Sequence, residues 1–325
     1  KGGILVRVGQ ETTSDQLSER LSTGAELEEL ELQGERLHFR RLSGEGPEEG
    51  WVSLRAAGRQ LVAREGASAE DAPRPKAKAK AKALGRPPRV MCLHGTASGT
   101  KIMEAQLAKL FAKARGQIEF HVVEGPKQCT MQEAIDTMSQ FFKGKPMTMY
   151  DELQFDERNW RCYKKVRDTL TWLQAQIKKH GPFDGVLGFS QGANFAVMLA
   201  AQSYAGTGKA LSFVVPLCPN APGYARQLPE LFEAPLPVPA LVVRGAQEGY
   251  DEGVKKTLQG KEIDTLGEPV VSEHVVKLFE GADVFTHPDG HRPLPSAPAD
   301  QDELIARIIE FVLAKAATPP LVKGA

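Results

Sequence analysis

The sequence predicts an α/β domain, a mostly parallel sheet with helices on both faces, preceded by a small all-β domain. Three observations carry this. Beyond residue 88, apolar runs of strand length alternate with amphipathic stretches of helical period. Before residue 66, several short alternating segments are separated by glycine-rich turns. Between them lies a stretch of proline, lysine and alanine without hydrophobic periodicity.

In the amino-terminal part, Gly3 to Arg7, Ala25 to Leu32, Arg36 to Leu42 and Trp51 to Leu54 read as strands. Gly34, Gly44-Glu45-Gly46-Pro47 and Gly50 supply the turns. Several short strands in roughly 65 residues suggest a small barrel. The opening strand ending at Val6-Arg7, the Thr23-Gly24-Ala25 turn and the closing Gly50-Trp51-Val52-Ser53 resemble a bacterial-type Src homology 3-like domain. Residues 1–66 are assigned to it.

Residues 67–88 read as a linker. They hold Ala72-Pro73-Arg74-Pro75, the Lys-Ala run from Lys76 to Ala83, and Gly85-Arg86-Pro87-Pro88. Prolines stiffen the ends and the lysines repel one another, which favours an extended, solvated tether. Residues 89–317 form the α/β domain and 318–325 a tail. Expected strands are Arg89 to Leu93, Ile118 to Val123, Phe183 to Leu187, Leu211 to Leu217, Ala240 to Arg244 and Asp283 to Thr286. Their near-continuous apolar character suits strands buried on both faces. Expected helices are Ile102 to Ala114, Trp160 to Lys179, Asn194 to Ser203 and Asp300 to Ala314. In the last, Leu304, Ile305, Ile308, Ile309 and Val312 form one core-facing stripe.

Composition narrows the function classes. The 325 residues are 41% hydrophobic and 25% charged, with 41 basic and 41 acidic side chains. Zero formal charge supplies no general attraction to nucleic acid or anionic lipid, so no nucleic-acid partner is expected. No apolar run approaches the roughly 20 residues of a membrane span, and no leader follows Lys1, so a soluble protein is expected. Cys92, Cys129, Cys162 and Cys218 lack the close spacing of a zinc or redox pair, and the seven histidines contain no H-x-x-x-H. Free thiols in a reducing, cytoplasmic setting follow, with no metal.

The chemistry concentrates around Phe183-Asp184-Gly185-Val186-Leu187-Gly188-Phe189-Ser190-Gln191-Gly192-Ala193, a strand running through G-x-S-x-G into a helix. This is the context of a nucleophile elbow. A tight strand-to-helix turn pushes the serine hydroxyl into a cleft, and Gly188 and Gly192 relieve the crowding there. The following helix aims N–H groups and a partial positive charge at a developing oxyanion. The first strand of the domain ends in Leu93-His94-Gly95-Thr96, so the N–H groups of Thr96 and Gln191 are the expected oxyanion hole. His94 is read as a structural loop residue.

In the chain order nucleophile, acid, base, the histidine falls near the carboxyl end. His287-Pro288-Asp289-Gly290-His291-Arg292-Pro293 follows the last strand, with His291 the base and His287 packed at the strand end. The acid belongs after Arg244-Gly245. Glu248 and Glu268 flank a polar insertion, Gly249 to Gly267, and carry equal weight, ahead of Asp251 and Asp264. Between Met131 and Trp160, the side chains of Phe141, Phe142, Met147, Met149, Tyr150 and Trp160 could line an acyl pocket. Trp160 and Phe189 are assigned to substrate binding.

Val90-Met91-Cys92-Leu93-His94-Gly95, the stretch His180 to Ala193 and Pro288-Asp289-Gly290-His291-Arg292-Pro293 together resemble the fungal-type serine hydrolase family. That family is a branch of the α/β-hydrolases that includes the ovarian-tumour-suppressor-candidate esterase. The resemblance covers Arg89 to about Ala314. It implies the α/β-hydrolase fold and a cofactor-free esterase acting on carboxylic ester or thioester bonds of small to medium acyl substrates. Ser190 would be the nucleophile, His291 the base and Gln191 an oxyanion donor. The family places aspartate where this sequence offers glutamates. A neighbouring class, lysophospholipases and acyl-protein thioesterases, shares Gly-Phe-Ser-Gln-Gly. From another class, the chain would be a non-catalytic scaffold whose barrel binds a protein partner.

Overall fold

A computed structural model describes residues 3–11, 14–33, 36–56, 59–62, 85–158, 160–247, 256–258, 261–263 and 273–323. The core of the expected linker, with Glu248, Asp251, Asp264 and Glu268, lies outside the described residues. The chain divides into two compact units, Lys1–Ala79 and Lys80–Ala325.

The first unit contains β1 (Ile4–Arg7), β2 (Gln16–Leu21), β3 (Leu27–Gln33), β4 (Arg36–Arg41) and β5 (Glu49–Ser53). Four of these match the expected strands, and Gln16–Leu21 was not anticipated because Ser18, Glu19 and Arg20 give it little apolar alternation. The strands form one antiparallel sheet in the order β2-β1-β5-β4-β3. This corrects the expectation of a closed Src homology 3-like barrel. Closure requires the outer strands to pair, and β3 presents Glu28, Glu29 and Glu31 along an almost wholly exposed edge. Charged edge strands resist further pairing. Val6, Leu21, Leu37, Phe39 and Val52 form the small core.

The second unit is built on six parallel strands: β6 (Arg89–Leu93), β7 (Glu119–Val123), β10 (Gly185–Phe189), β11 (Phe213–Leu217), β12 (Leu241–Gly245) and β13 (Asp283–His287). A two-stranded hairpin, β8 (Leu153–Phe155) and β9 (Arg161–Tyr163), lies between β7 and β10 in the chain. The parallel order is β13-β12-β11-β10-β6-β7. The six expected strands are therefore present, each shifted by at most two residues at an end. The chain leaves β6 outward to β7 and returns to place β10 on the other side of β6, which makes the carboxyl ends of β6 and β10 the topological switch point. Ligands of open α/β sheets bind at such crevices.

Helices cover both faces: α1 (Thr100–Gln106), α2 (Ala108–Lys113), α3 (Gln132–Ser139), α4 (Val166–His180), α5 (Gln191–Tyr204), the short α6 (Tyr224–Gln227) and α7 (Glu273–Val276), and α8 (Pro298–Lys315). One apolar cluster packs α4 and α5 on one face, and another packs α2 and α8 on the other. The expected helix over 102–114 is two helices meeting at Leu107, whose φ of −105° and ψ of 12° depart from helical values. Hydrogen bonds from Leu107 N to Met103 O and from Phe111 N to Leu107 O, both 2.9 Å, carry the path across. The helix expected from Trp160 begins only at Val166, because Arg161–Tyr163 pairs with Leu153–Phe155. Among the described residues, no helix is long and apolar enough to cross a membrane.

Candidate active site

Ser190 occupies the single-residue turn between β10 and α5, with φ 54° and ψ −116°. L-residues avoid this region because Cβ crowds the backbone. Its N–H donates to Leu217 O at 3.0 Å, and its carbonyl accepts from Ala193 and Asn194 N–H at 3.0 and 3.2 Å. The turn is thus held from the neighbouring strand and from the helix at once. The flanking glycines are sterically required. A Cβ on Gly188 would stand 2.1 Å from Gly192 O, and one on Gly192 would stand 2.1 Å from Leu93 O.

That second approach brings the end of β6 against the start of α5. A Cβ on Gly95 would lie 3.3 Å from Ser190 Cβ, so the Gly95-Thr96 turn borders the serine directly. Ala97 follows with φ 51°, and Cys218, just after β11, has φ 47°. Among the described residues, Ala97, Ser190 and Cys218 are the non-glycine residues with positive φ. All three follow the carboxyl ends of the adjacent strands β6, β10 and β11. Strain of this kind persists only where surrounding structure over-determines it, and it gathers at functional sites.

Gln191 is buried, and its side chain is fully engaged. Its Oε1 accepts from Tyr150 N–H at 2.7 Å, and its Nε2 donates to Asp151 O at 2.9 Å. The side-chain amide therefore anchors the Tyr150-Asp151 backbone. The N–H groups of a helix's first turn have no intrahelical acceptor, which leaves those of Gln191 and Gly192 for other partners. Asp151 is itself buried. It pairs with Lys127 and accepts from Glu152 N–H at 2.8 Å and Lys165 N–H at 2.7 Å.

His94 has a different surrounding from a proton shuttle. Nδ1 faces Gly95 O at 2.8 Å and Nε2 accepts from Gly125 N–H at 2.9 Å, an arrangement that requires the neutral ring protonated on Nδ1. Burial lowers its pKa, outweighing the Gly95 carbonyl and the Glu124 charge. For Glu124, burial pushes upward, but hydrogen bonds from Thr148 and Thr100 prevail and hold the carboxyl below its usual range. His94 also receives Tyr150 through its own N–H, which donates to the phenol oxygen at 3.1 Å, while Tyr150 Oη donates to Val123 O at 2.6 Å. The residue thus cross-links three loops, in keeping with a structural role.

His291 lies on the exposed loop after β13, with its ring centroid 5.1 Å from that of Phe189, the residue before Ser190. The loop and the end of β12 run together. Ala246 N–H donates to His287 O at 2.8 Å, and Gln247 N–H to Asp289 O at 3.2 Å. A Cβ on Gly245 would meet Gly290 O at 2.3 Å. Asp289 is committed to Ser296, accepting from its N–H and hydroxyl at 2.6 and 2.7 Å. His287 is buried, its Nε2 3.2 Å from Arg292 O and 3.9 Å from Cys218 Sγ.

Of the apolar residues expected to line an acyl pocket, Met147, Met149 and Tyr150 are buried, whereas Phe141 is exposed. Trp160 sits at the tip of the β8–β9 hairpin, its ring 4.6 Å from that of His274 and beneath the guanidinium of Arg226 at 5.0 Å. Phe189 is buried, and its ring supports His291. Residues that local sequence did not reveal are Asn194, Asn220 and Tyr163. Asn194 Nδ2 donates to Tyr163 Oη at 2.7 Å, and Asn220 N–H donates to Asn194 Oδ1 at 3.0 Å. These bonds tie the hairpin and the loop after β11 to the helix one turn beyond Ser190.

Comparison with known proteins identifies the family. Residues 84–303 match the family described as serine hydrolase (FSH1). The human esterase OVCA2 is 25% identical over 234 residues, covering 67% of this chain and 95% of that protein. Esterase alnB of Emericella nidulans is 31% identical over 110 residues, 34% of this chain and 35% of that protein. Esterase FUS5 of Gibberella fujikuroi is 28% identical over 146 residues, 44% of this chain and 61% of that protein. The chain thus spans about a third of the Emericella relative and three fifths of the Gibberella one. The crystal structure of esterase PE8 superposes with a TM-score of 0.45 at 16% identity, covering 70% of this chain and 93% of that one. By the match over residues 84–303, the chain belongs to the serine hydrolase (FSH1) family.

Proposed function

We propose that this chain is a cofactor-free serine esterase or thioesterase of small to medium acyl substrates, working through Ser190, His291 and Glu248. The observation that carries the reading is the strained Ser190 turn at the switch point, bordered by the Gly95-Thr96 loop and by the His291 loop. Ser190 Oγ attacks the acyl carbonyl carbon as His291 takes its proton. The N–H groups of Thr96 and Gln191 hold the oxyanion, assisted by the positive end of α5. Collapse breaks the bond to the alcohol or thiol, which leaves with the proton from His291. Water, activated by the same imidazole, then releases the acid and restores Ser190.

Glu248 is preferred to Glu268 on a local ground. Gln247 donates to Asp289 O, so the chain just before Glu248 runs beside the residues just before His291. The described residues on either side of Glu268 along the sequence are Ile263 and Glu273, and Glu273 pairs with Arg244. The four cysteines are buried and form no disulfide, which supports placement in a reducing compartment such as the cytoplasm.

The test is labelling by a fluorophosphonate probe, with hydrolysis of p-nitrophenyl esters from acetate to palmitate. Labelling and turnover are expected in the wild type and absent in Ser190→Ala, and Glu248→Ala is expected to lose at least 100-fold more kcat than Glu268→Ala. A wild type that neither labels nor turns over any ester overturns the hydrolase reading and gives precedence to a scaffold role for the amino-terminal sheet. Loss of activity in Glu268→Ala alone reassigns the acid.

A further inference from the structure

Among the described residues, Arg161 has no charged partner. Its register partner on β8 is Phe155, and its guanidinium lies 5.2 Å from the centroid of that ring. Among the described residues its guanidinium makes no hydrogen bond and no ion pair. The neighbouring carboxylates are otherwise engaged. Asp156 pairs with Arg226 and Glu152 with Lys164, while Glu157 is exposed. Burial lowers the pKa of Arg161, as expected for a cation partly withdrawn from solvent. A half-buried guanidinium with no acceptor among the described residues keeps its directed donors for solvent or a bound ligand.

Its place in the fold joins it to the proposed site. Side chains two apart on a strand share a face, so Arg161 lies on the face from which Tyr163 reaches Asn194. Arg161 N–H donates to Ala221 O at 3.1 Å, and Asn220 is the residue that holds Asn194 Oδ1. The carbonyl of Ser190 accepts from Asn194 N–H at 3.2 Å. Arg161 is therefore carried by the hairpin that borders the carboxyl end of the sheet, one residue row outward from the group tied to the elbow helix. Arg158 and Arg226 both lie over the Trp160 ring at the same hairpin tip, Arg226 with its charge offset by Asp156.

We infer that Arg161 is a specificity-determining residue that binds a carboxylate carried by the substrate, so that the preferred esters are anionic rather than neutral. This rests on the serine hydrolase reading of the same cleft. A planar guanidinium matches a carboxylate through two parallel N–H···O bonds, which an ammonium does not reproduce. The position of the anion within the ester, in its acyl or its alcohol part, is read by the experiment.

Two matched pairs of esters separate these sources: mono-p-nitrophenyl glutarate against p-nitrophenyl pentanoate, and 4-carboxyphenyl butanoate against phenyl butanoate. In at least one pair the wild type is expected to favour the anionic member by tenfold or more in kcat/KM. Arg161→Gln is expected to reduce that ratio at least tenfold, and Arg161→Lys to retain part of it, which a merely structural role would not produce. Binding is measured separately by calorimetry in Ser190→Ala, with monomethyl glutarate against dimethyl glutarate. The anion is expected to bind at least tenfold more tightly, and Ser190→Ala/Arg161→Gln to lose the difference. A wild type that fails to label with fluorophosphonate defeats the hydrolase reading, while the calorimetric comparison still decides the role of Arg161. Equal affinity for the two glutarates, or a preference that survives Arg161→Gln, overturns the inference.

Discussion

Replacing Ser190 by glycine should make the protein more stable while abolishing any chemistry at that position. Ser190 sits at φ 54° and ψ −116°, where a Cβ is crowded by the backbone. Holding a non-glycine residue in such a region costs of order 1–3 kcal/mol. Glycine removes that cost but enlarges the unfolded ensemble by about 0.5–1 kcal/mol. Taken at the middle of both ranges, the balance is a gain of about 1 kcal/mol, or roughly 2–4 °C in the melting temperature of a unit of this size. Ser190→Ala keeps the Cβ, and with it the strain, and so serves as the matched control. Differential scanning calorimetry of the wild type and the two variants makes the comparison on the transition of the larger unit, with fluorophosphonate labelling run alongside. Ser190→Ala is expected to melt close to the wild type and Ser190→Gly above both, and neither variant should label. A glycine variant melting at or below the alanine variant would show that the turn stores no strain and would remove the physical basis for calling it an elbow.

Gly192→Ala puts a methyl 2.1 Å from Leu93 O and 2.6 Å from His94 O, two backbone atoms of the β6 end that cannot swing aside. A destabilisation of about 3 kcal/mol, the upper end of overpacking costs, is expected in urea titrations, together with loss of probe labelling. A variant of wild-type stability would show that the approach of β6 to α5 is looser than described. His94 tests the buried network through pH. Its folded pKa lies below that of the free imidazole, so the unfolded chain takes up the proton first, and stability falls as pH drops below about 6.5. Between pH 7.5 and 5.5 the wild type should lose up to about 1.4 kcal/mol more unfolding free energy than His94→Gln. Parallel pH profiles for the two proteins would indicate that His94 is not held neutral by its surroundings.

Much of the larger unit is legible along the chain, because its signals are local. A strand buried on both faces must be apolar throughout, which is why the segments ending at Leu93, Phe189, Leu217 and Gly245 can be read without a partner strand in view. The elbow is equally local. Its two glycines and serine are demanded by contacts within a few residues or with the next strand, and the strand before and helix after are visible as periodicities. The hairpin was not legible. Arg161-Cys162-Tyr163 is too short to show alternation, and only pairing with Leu153–Phe155 separates it from the helix that follows. The small β unit is an open sheet rather than a closed barrel for a related reason. Short alternating segments announce strands, but whether β2 and β3 close or remain edges depends on what faces them, and the glutamates of β3 keep that edge open to water.

The sequence by itself therefore determined the α/β rhythm, the parallel sheet and the serine elbow, each set by burial and backbone sterics acting over short distances. Tertiary structure alone decided which groups meet. It placed three strained residues at the ends of adjacent strands, locked His94 into a neutral cross-link, laid the His291 loop against Phe189 and the end of β12, and set the Arg161 guanidinium over the Phe155 ring of the hairpin. These juxtapositions join residues tens of positions apart, and their energies arise from solvent exclusion and charge proximity that exist only once the sheet has ordered its strands.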